Sequence, residues 1–318
     1  MKAAAWGAGL GAAAALALAA VLAPRERVHP ARRALKLPHD LDRWLAEREH
    51  RVPGLVPGTQ AVIRWHDPAR KRPTPRAIVY LHGFSATRRE LHPLCDLLAR
   101  DWRANVFYPR LTAHGQDGEG FATVTADDWF RDANEAAEVG ARVGRRLVLV
   151  ACSTGVPLAL WLALTRNDVD LLVLLSPNIG VADARARLLR LPGGRWIARA
   201  VVGRHTGFRP KNQLEARWWT TSYRSEGLVP MEALAEYGWR LDVAPLRVPT
   251  LMIYTEHDTI LDLGRIRKKF EEIGSPVKHL VNFSRAPHHV VAGDANSPAL
   301  TRPLERLILD FARSAGIK

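Results

Sequence analysis

Ser153 stands in the run Leu147-Val-Leu-Val-Ala-Cys-Ser153-Thr-Gly155-Val-Pro-Leu-Ala-Leu-Trp161, between two apolar segments and two residues before a glycine. The apolar residues 147–151 suit a strand buried on both faces, and the segment after Gly155 suits a buried helix. A serine on the sharp turn between them needs small neighbours, because larger ones would collide with the backbone. There its hydroxyl projects above the sheet edge, at a helix N-terminus that favours developing negative charge. This is the placement of a nucleophilic serine, with Ala151 where the usual form has glycine. A serine hydroxyl is a weak nucleophile, so the chemistry also needs a base and a group to orient that base.

Other residues able to do such work fall just past other apolar runs. Residues 77–81 are followed by His82-Gly83-Phe84-Ser85, whose backbone N–H groups can face an anion, and residues 104–108 lead to His114-Gly115. Residues 250–254 precede Glu256, His257 and Asp258, and residues 279–283 precede His288, His289 and Asp294. A serine, an acid and a histidine, each past a different strand, are the parts of a serine–histidine–acid relay.

The elements that must position these groups alternate. Strands are expected over 61–65, 77–81, 104–108, 147–151, 171–175, 250–254 and 279–283. Helices are expected over 41–48, 87–100, 125–143, 156–164, 261–273 and 297–315. Thr125 caps its helix ahead of an acidic first turn, and Ser297-Pro298 opens the last one. Apolar strands alternating with helices make an α/β fold with a mostly parallel, doubly wound sheet, whose ligand chemistry sits at the carboxyl ends of the strands. Residues 181–244 break the rhythm with Trp196, Trp218, Trp219, Tyr223, Tyr237 and Trp239 among arginines, and read as an inserted, mainly helical cap. The expected organisation is an N-terminal hydrophobic segment over 1–24, a linker over 25–58, a core over 59–180 and 245–318, and the cap between the core's two parts.

Six groups of residues together resemble an α/β-hydrolase-fold serine hydrolase of the bacterial carboxylesterase and monoacylglycerol lipase group. They are Leu81-His-Gly-Phe84, Leu111-x-x-His114-Gly115, Asp127-Asp128-Trp129, Ala151-Cys-Ser153-Thr-Gly155, Thr255-x-x-Asp258, and Ser284 through His289 to Asp294. The likeness runs from about residue 77 to the C-terminus, cap excepted. It departs from the pattern at Ala151, at Thr255 and in the doubled histidines. It implies Ser153 as nucleophile, His289 (rather than His288) as general base and then acid, and Asp258 (rather than Glu256 or Asp262) as the orienting carboxylate. The backbone N–H groups of Phe84 and Thr154 would form the oxyanion hole. The resemblance further implies hydrolysis of carboxylic esters through an acyl-enzyme, and the aromatic cap favours a small-molecule acyl substrate such as a monoacylglycerol. A thioesterase, an acyltransferase or a carbon–carbon bond hydrolase would use the same triad. A non-catalytic scaffold that binds a partner through its cap is the reading from another class.

Composition narrows the rest. The 46 Lys and Arg against 32 Asp and Glu leave a net charge of +14, but the basic residues are spread along the chain without an aromatic-interleaved block, which argues against nucleic acid as a partner. Cys95 and Cys152 have no metal-ligand spacing, and no cofactor or metal is expected. Residues 3–23 are uncharged and rich in Ala, Leu and Gly, with Lys2 before them and Arg25, Arg27, Arg32, Arg33 and Lys36 after them. That predicts a retained membrane anchor with its side left open, or else a signal segment cleaved from a secreted or periplasmic protein.

Overall fold

The computed structural model describes residues 24–317. Its strands are β1 (Val62–Arg64), β2 (Thr74–Leu81), β3 (Asn105–Tyr108), β4 (Gly144–Cys152), β5 (Val169–Leu175), β6 (His205–Gly207), β7 (Ser222–Arg224), β8 (Thr250–Tyr254) and β9 (Lys278–Asn282). Its α-helices are α1 (Leu41–His50), α2 (Leu94–Trp102), α3 (Ala126–Val143), α4 (Gly155–Thr165), α5 (Gly194–Val202), α6 (Gln213–Trp218), α7 (Leu228–Arg240), α8 (Leu263–Glu272) and α9 (Pro298–Ser314).

Parity along the central strands divides the interior. Val79, Leu81, Leu149 and Ala151 belong to one apolar cluster, and their neighbours Ile78, Tyr80, Val148 and Val150 to a second on the opposite face. Both faces are buried, which is why β2 and β4 read as unbroken apolar runs and need helices on both sides. The sheet runs β1-β3-β2-β4-β5-β8-β9; β1 pairs antiparallel to β3 and the other pairings are parallel. Register brings the strand ends level, with Leu81 beside Ala151, Cys152 beside Leu175, and Leu175 beside Ile253. His82, Ser153, Ser176 and Thr255 therefore emerge along one sheet edge.

Capping explains several boundaries. The Thr125 hydroxyl accepts from the Asp128 N–H at 3.2 Å and the Asp128 carboxylate accepts from the Thr125 N–H at 2.8 Å, a reciprocal box that starts α3. Trp129 then packs fully buried and donates its indole N–H to the Thr112 carbonyl at 3.1 Å. The helix expected from residue 87 begins at Leu94 instead. Pro93 has no N–H to give and disfavours the helical conformation at His92, so the preceding residues form turns. Residues 181–244 leave the sheet after β5 and return before β8. They hold α5, α6, α7 and an antiparallel pair, β6 with β7, that the sequence reading lacked. Strands of three residues are too short to display a period.

The N-terminal expectation is corrected. Among the described residues no helix is long and apolar enough to cross a membrane. Even the longest, α3 at 18 residues, carries Asp127, Asp128, Arg131, Asp132, Glu135, Glu138 and Arg142. Residues 3–23, on which the anchor rested, lie outside the described residues. The chain directly after them is held against the body. The Pro24 carbonyl accepts from Gly193 N–H at 3.1 Å, Glu26 accepts from Ala126 N–H at 2.8 Å and pairs with Arg195 at 3.0 Å, and Asp127 accepts from His29 N–H at 2.7 Å. The membrane-associated, transmembrane reading is withdrawn.

Candidate active site

Ser153 occupies the turn between β4 and α4 with φ of +50°, in the left-handed region that a non-glycine residue enters at a cost on the order of 1 kcal/mol. Three hydrogen bonds hold it there. Its N–H donates to Leu175 O at 2.9 Å, and its carbonyl accepts from Val156 at 3.0 Å and from Asn178 at 3.2 Å. Gly155 is required by close approach, since a Cβ there would stand 2.2 Å from the Leu81 carbonyl oxygen. Packing β2 against the start of α4 this tightly puts the Gly83–Phe84 turn beside the serine.

The loop after β8 presents Asp258 and the loop after β9 presents His289. Asp258 Oδ2 and His289 Nδ1 lie 2.6 Å apart, with the carboxylate side chain fully buried and the imidazole 14% exposed. Asp258 Oδ1 accepts from the N–H groups of Ile260 at 2.9 Å and Leu261 at 3.3 Å. Burial alone would raise this carboxyl, but His289 and the two N–H groups outweigh it and hold Asp258 below its ordinary value. The neighbouring acids go elsewhere: Glu256 takes the Tyr254 hydroxyl at 3.0 Å and pairs with Arg267 at 2.8 Å, and Asp262 caps α8 through Arg265 N–H at 3.1 Å.

Ser153, Thr154, Phe84, His288 and His289 line one cavity of about 450 Å³. Phe208, Trp219, Tyr223, Leu228 and Met231 from residues 181–244 form its apolar side, with Arg209 and Lys211 also on its lining. Other aromatics of that segment serve differently. Trp196 is 59% exposed, Trp218 lies against Arg89 and Arg217, and Tyr237 packs on Phe130. Among the described residues no acceptor is bonded to the backbone N–H of Phe84 or of Thr154. Both donors border the cavity.

Two further histidines, His82 and His114, are buried and lie outside the cavity lining. His82 donates from Nδ1 to Gly83 O at 2.9 Å and accepts from Leu111 N–H at Nε2 at 3.1 Å, and burial lowers it to about 4, so it is neutral. His114 stacks edge-on to it at 4.9 Å between ring centroids and is likewise pushed down by burial. His288 is lowered by burial and by the Lys211 charge.

Residues 78–308 match the family described as the alpha/beta hydrolase family. The chain belongs to the alpha/beta hydrolase family. A thermostable monoacylglycerol lipase of Bacillus sp. (strain H-257) is 25% identical over 242 residues, 76% of this chain and 92% of that protein. A solved structure reported for the metagenome-derived lipolytic enzymes LipS and LipT is similar with a TM-score of 0.67 at 17% identity, covering 81% of this chain and 99% of that one. A soluble variant of monoglyceride lipase from Saccharomyces cerevisiae is similar with a TM-score of 0.62 at 11% identity, covering 80% and 91%. These two share the fold.

The candidate site also holds residues that the sequence did not single out. Ser176, directly after β5 and with φ of +45°, donates its hydroxyl to the His289 carbonyl at 2.5 Å and so ties the histidine loop to the sheet. Asn178 donates to the Thr154 hydroxyl at 3.2 Å and lines the cavity. Glu90 lies beneath Gly83. The signal for Ser176 and Asn178 was present, since Ser176-Pro-Asn178 follows an apolar strand as the other site segments do. Glu90 carried none, because it sits inside what read as a helix.

Proposed function

We propose that this carboxylic ester hydrolase works through an acyl-enzyme on Ser153 and takes small monoacyl esters such as monoacylglycerols. The observation that carries the reading is the 2.6 Å contact between His289 and Asp258 on loops that meet at the cavity holding Ser153.

In this mechanism His289 Nε2 removes the Ser153 hydroxyl proton as the oxygen attacks the ester carbonyl carbon. Asp258, bonded at Nδ1, keeps the imidazole in the required tautomer and offsets its charge. The carbonyl oxygen gains the negative charge and takes hydrogen bonds from the Phe84 and Thr154 N–H groups, each of which stabilises the transition state by on the order of 3 kcal/mol. Collapse breaks the bond to the alcohol, which leaves with the proton held by His289. Water, deprotonated by His289, then attacks the acyl carbon; the acid leaves and Ser153 regains its proton. Phe208, Trp219, Leu228 and Met231 offer an acyl chain an apolar wall. Similarity to a monoacylglycerol lipase over most of both chains supports a small glyceryl ester.

Ser153→Ala is expected to abolish both hydrolysis of p-nitrophenyl esters and covalent labelling by a fluorophosphonate, with circular dichroism unchanged. Turnover at a tenth of the parent rate or more would overturn the assignment. An unmodified protein inert to the probe and to esters would favour a binding scaffold.

A further inference from the structure

Glu90 is a buried carboxyl with no part in the mechanism above. It is 2% exposed, lies in the turn before α2, and also borders the cavity that holds Ser153 and His289. Its Oε2 accepts from the Tyr80 hydroxyl of β2 at 2.5 Å and from the backbone N–H of Gly83 at 2.8 Å. Gly83 immediately precedes Phe84, whose N–H is the first oxyanion donor. The fit is close, because a Cβ at Gly83 would stand 2.6 Å from Glu90 Oε1 and 3.2 Å from the Ser153 Cβ. The same turn supports the histidine loop, where Asp294 N–H donates to His92 O at 2.8 Å. Glu90 thus stands where the turns bearing Phe84, Ser153 and His289 converge.

We infer that Glu90 is a positioning residue of this reaction, holding the Gly83–Phe84 turn in place against the oxyanion. The inference rests on the Ser153 and His289 roles proposed above. The groups bonded to the carboxylate are the Tyr80 hydroxyl from β2 and the Gly83 N–H. Burial pushes the Glu90 carboxyl up, opposed by the Tyr80 hydroxyl, the Gly83 N–H and the His289 charge. Burial and the Glu90 charge both push the Cys152 thiol up, so it faces Glu90 as a neutral group. Holding the Gly83 N–H fixes the turn that carries the Phe84 N–H, a donor whose worth depends on being in place before the charge develops.

Two variants that differ in whether an acceptor remains for the Gly83 N–H separate this from a merely structural peg. Glu90→Gln keeps a carbonyl for the Gly83 N–H, and its kcat is expected within about threefold of the parent. Glu90→Leu removes the acceptor, and its kcat is expected to fall about tenfold with KM changed less than about twofold. Glu90→Leu turning over at the parent kcat, or Glu90→Gln reduced as far as Glu90→Leu, overturns the inference, whatever the melting temperature does. Fluorophosphonate labelling of the parent at Ser153 keeps the outcomes distinguishable. If the parent is not labelled there, the underlying mechanism has failed. If it is labelled and kcat does not follow this pattern, only the role of Glu90 has.

Discussion

Asp258 reaches His289 at 2.6 Å, while the adjacent His288 faces Lys211, Glu215 and the cavity lining. One position along an irregular loop decides which imidazole is backed by a buried carboxylate and which is left beside a cation. A base without the orienting acid lacks both the fixed tautomer and the compensating charge. His289→Ala is therefore expected to lower kcat by about 10⁴-fold, and His288→Ala by less than about tenfold. Steady-state rates on a chromogenic ester decide it, and the reverse order would exchange the two roles. Residue identity was readable here in part. The chain order Ser153, Asp258, His289 stands in the sequence, whereas the partner of each group is a matter of loop geometry.

At the scale of elements, the loop after β2 is fastened to the loop after β3 by a neutral histidine. His82 uses both ring nitrogens on backbone groups, Gly83 O and Leu111 N–H, and burial lowers it to about 4. Its folded value lies below the ordinary value near 6.5, so between those values the unfolded chain binds a proton that the folded chain refuses. The stability this contributes is present above about pH 6.5 and is lost as pH falls toward 4. At its largest the effect is roughly 3 kcal/mol. In urea unfolding, the stability gap between the parent and His82→Gln is expected to narrow from pH 7 to pH 4.5. A gap that stays constant would show that His82 is not held neutral. Element boundaries followed local signals where these were strong, as at the Thr125 cap, and failed where a proline intervened, as at Pro93.

Across the whole molecule, the sheet edge and residues 181–244 enclose a cavity with an apolar side formed by Phe208, Trp219, Tyr223, Leu228 and Met231. Acyl chains that fill this side are expected to raise kcat/KM by up to about fourfold per methylene, equivalent to about 0.8 kcal/mol, until the space of about 450 Å³ is occupied. A series of glyceryl monoesters from acetyl to palmitoyl measures this. A flat profile from acetyl to decanoyl would remove residues 181–244 from acyl binding. Many of the basic residues are taken up in ion pairs that tie segments together, as Arg110 to Glu49 at 2.7 Å and Arg166 to Glu138 at 2.6 Å.

What the sequence determined by itself is local and periodic. Apolar runs gave the parallel strands, a small-residue turn marked Ser153, and groups placed just past strand ends located the candidate site, because strands in a parallel sheet deliver their following loops to one edge. What only the tertiary structure decided is contact between segments far apart in the chain. It brought His289, the histidine that the resemblance favours, within 2.6 Å of Asp258. It put Ser176 under the histidine loop and Glu90 under the Gly83 turn, and it separated Trp219 at the cavity from Trp196 in solvent. Such pairings depend on sheet register and loop path, and neither leaves a period in the sequence for a reader to find.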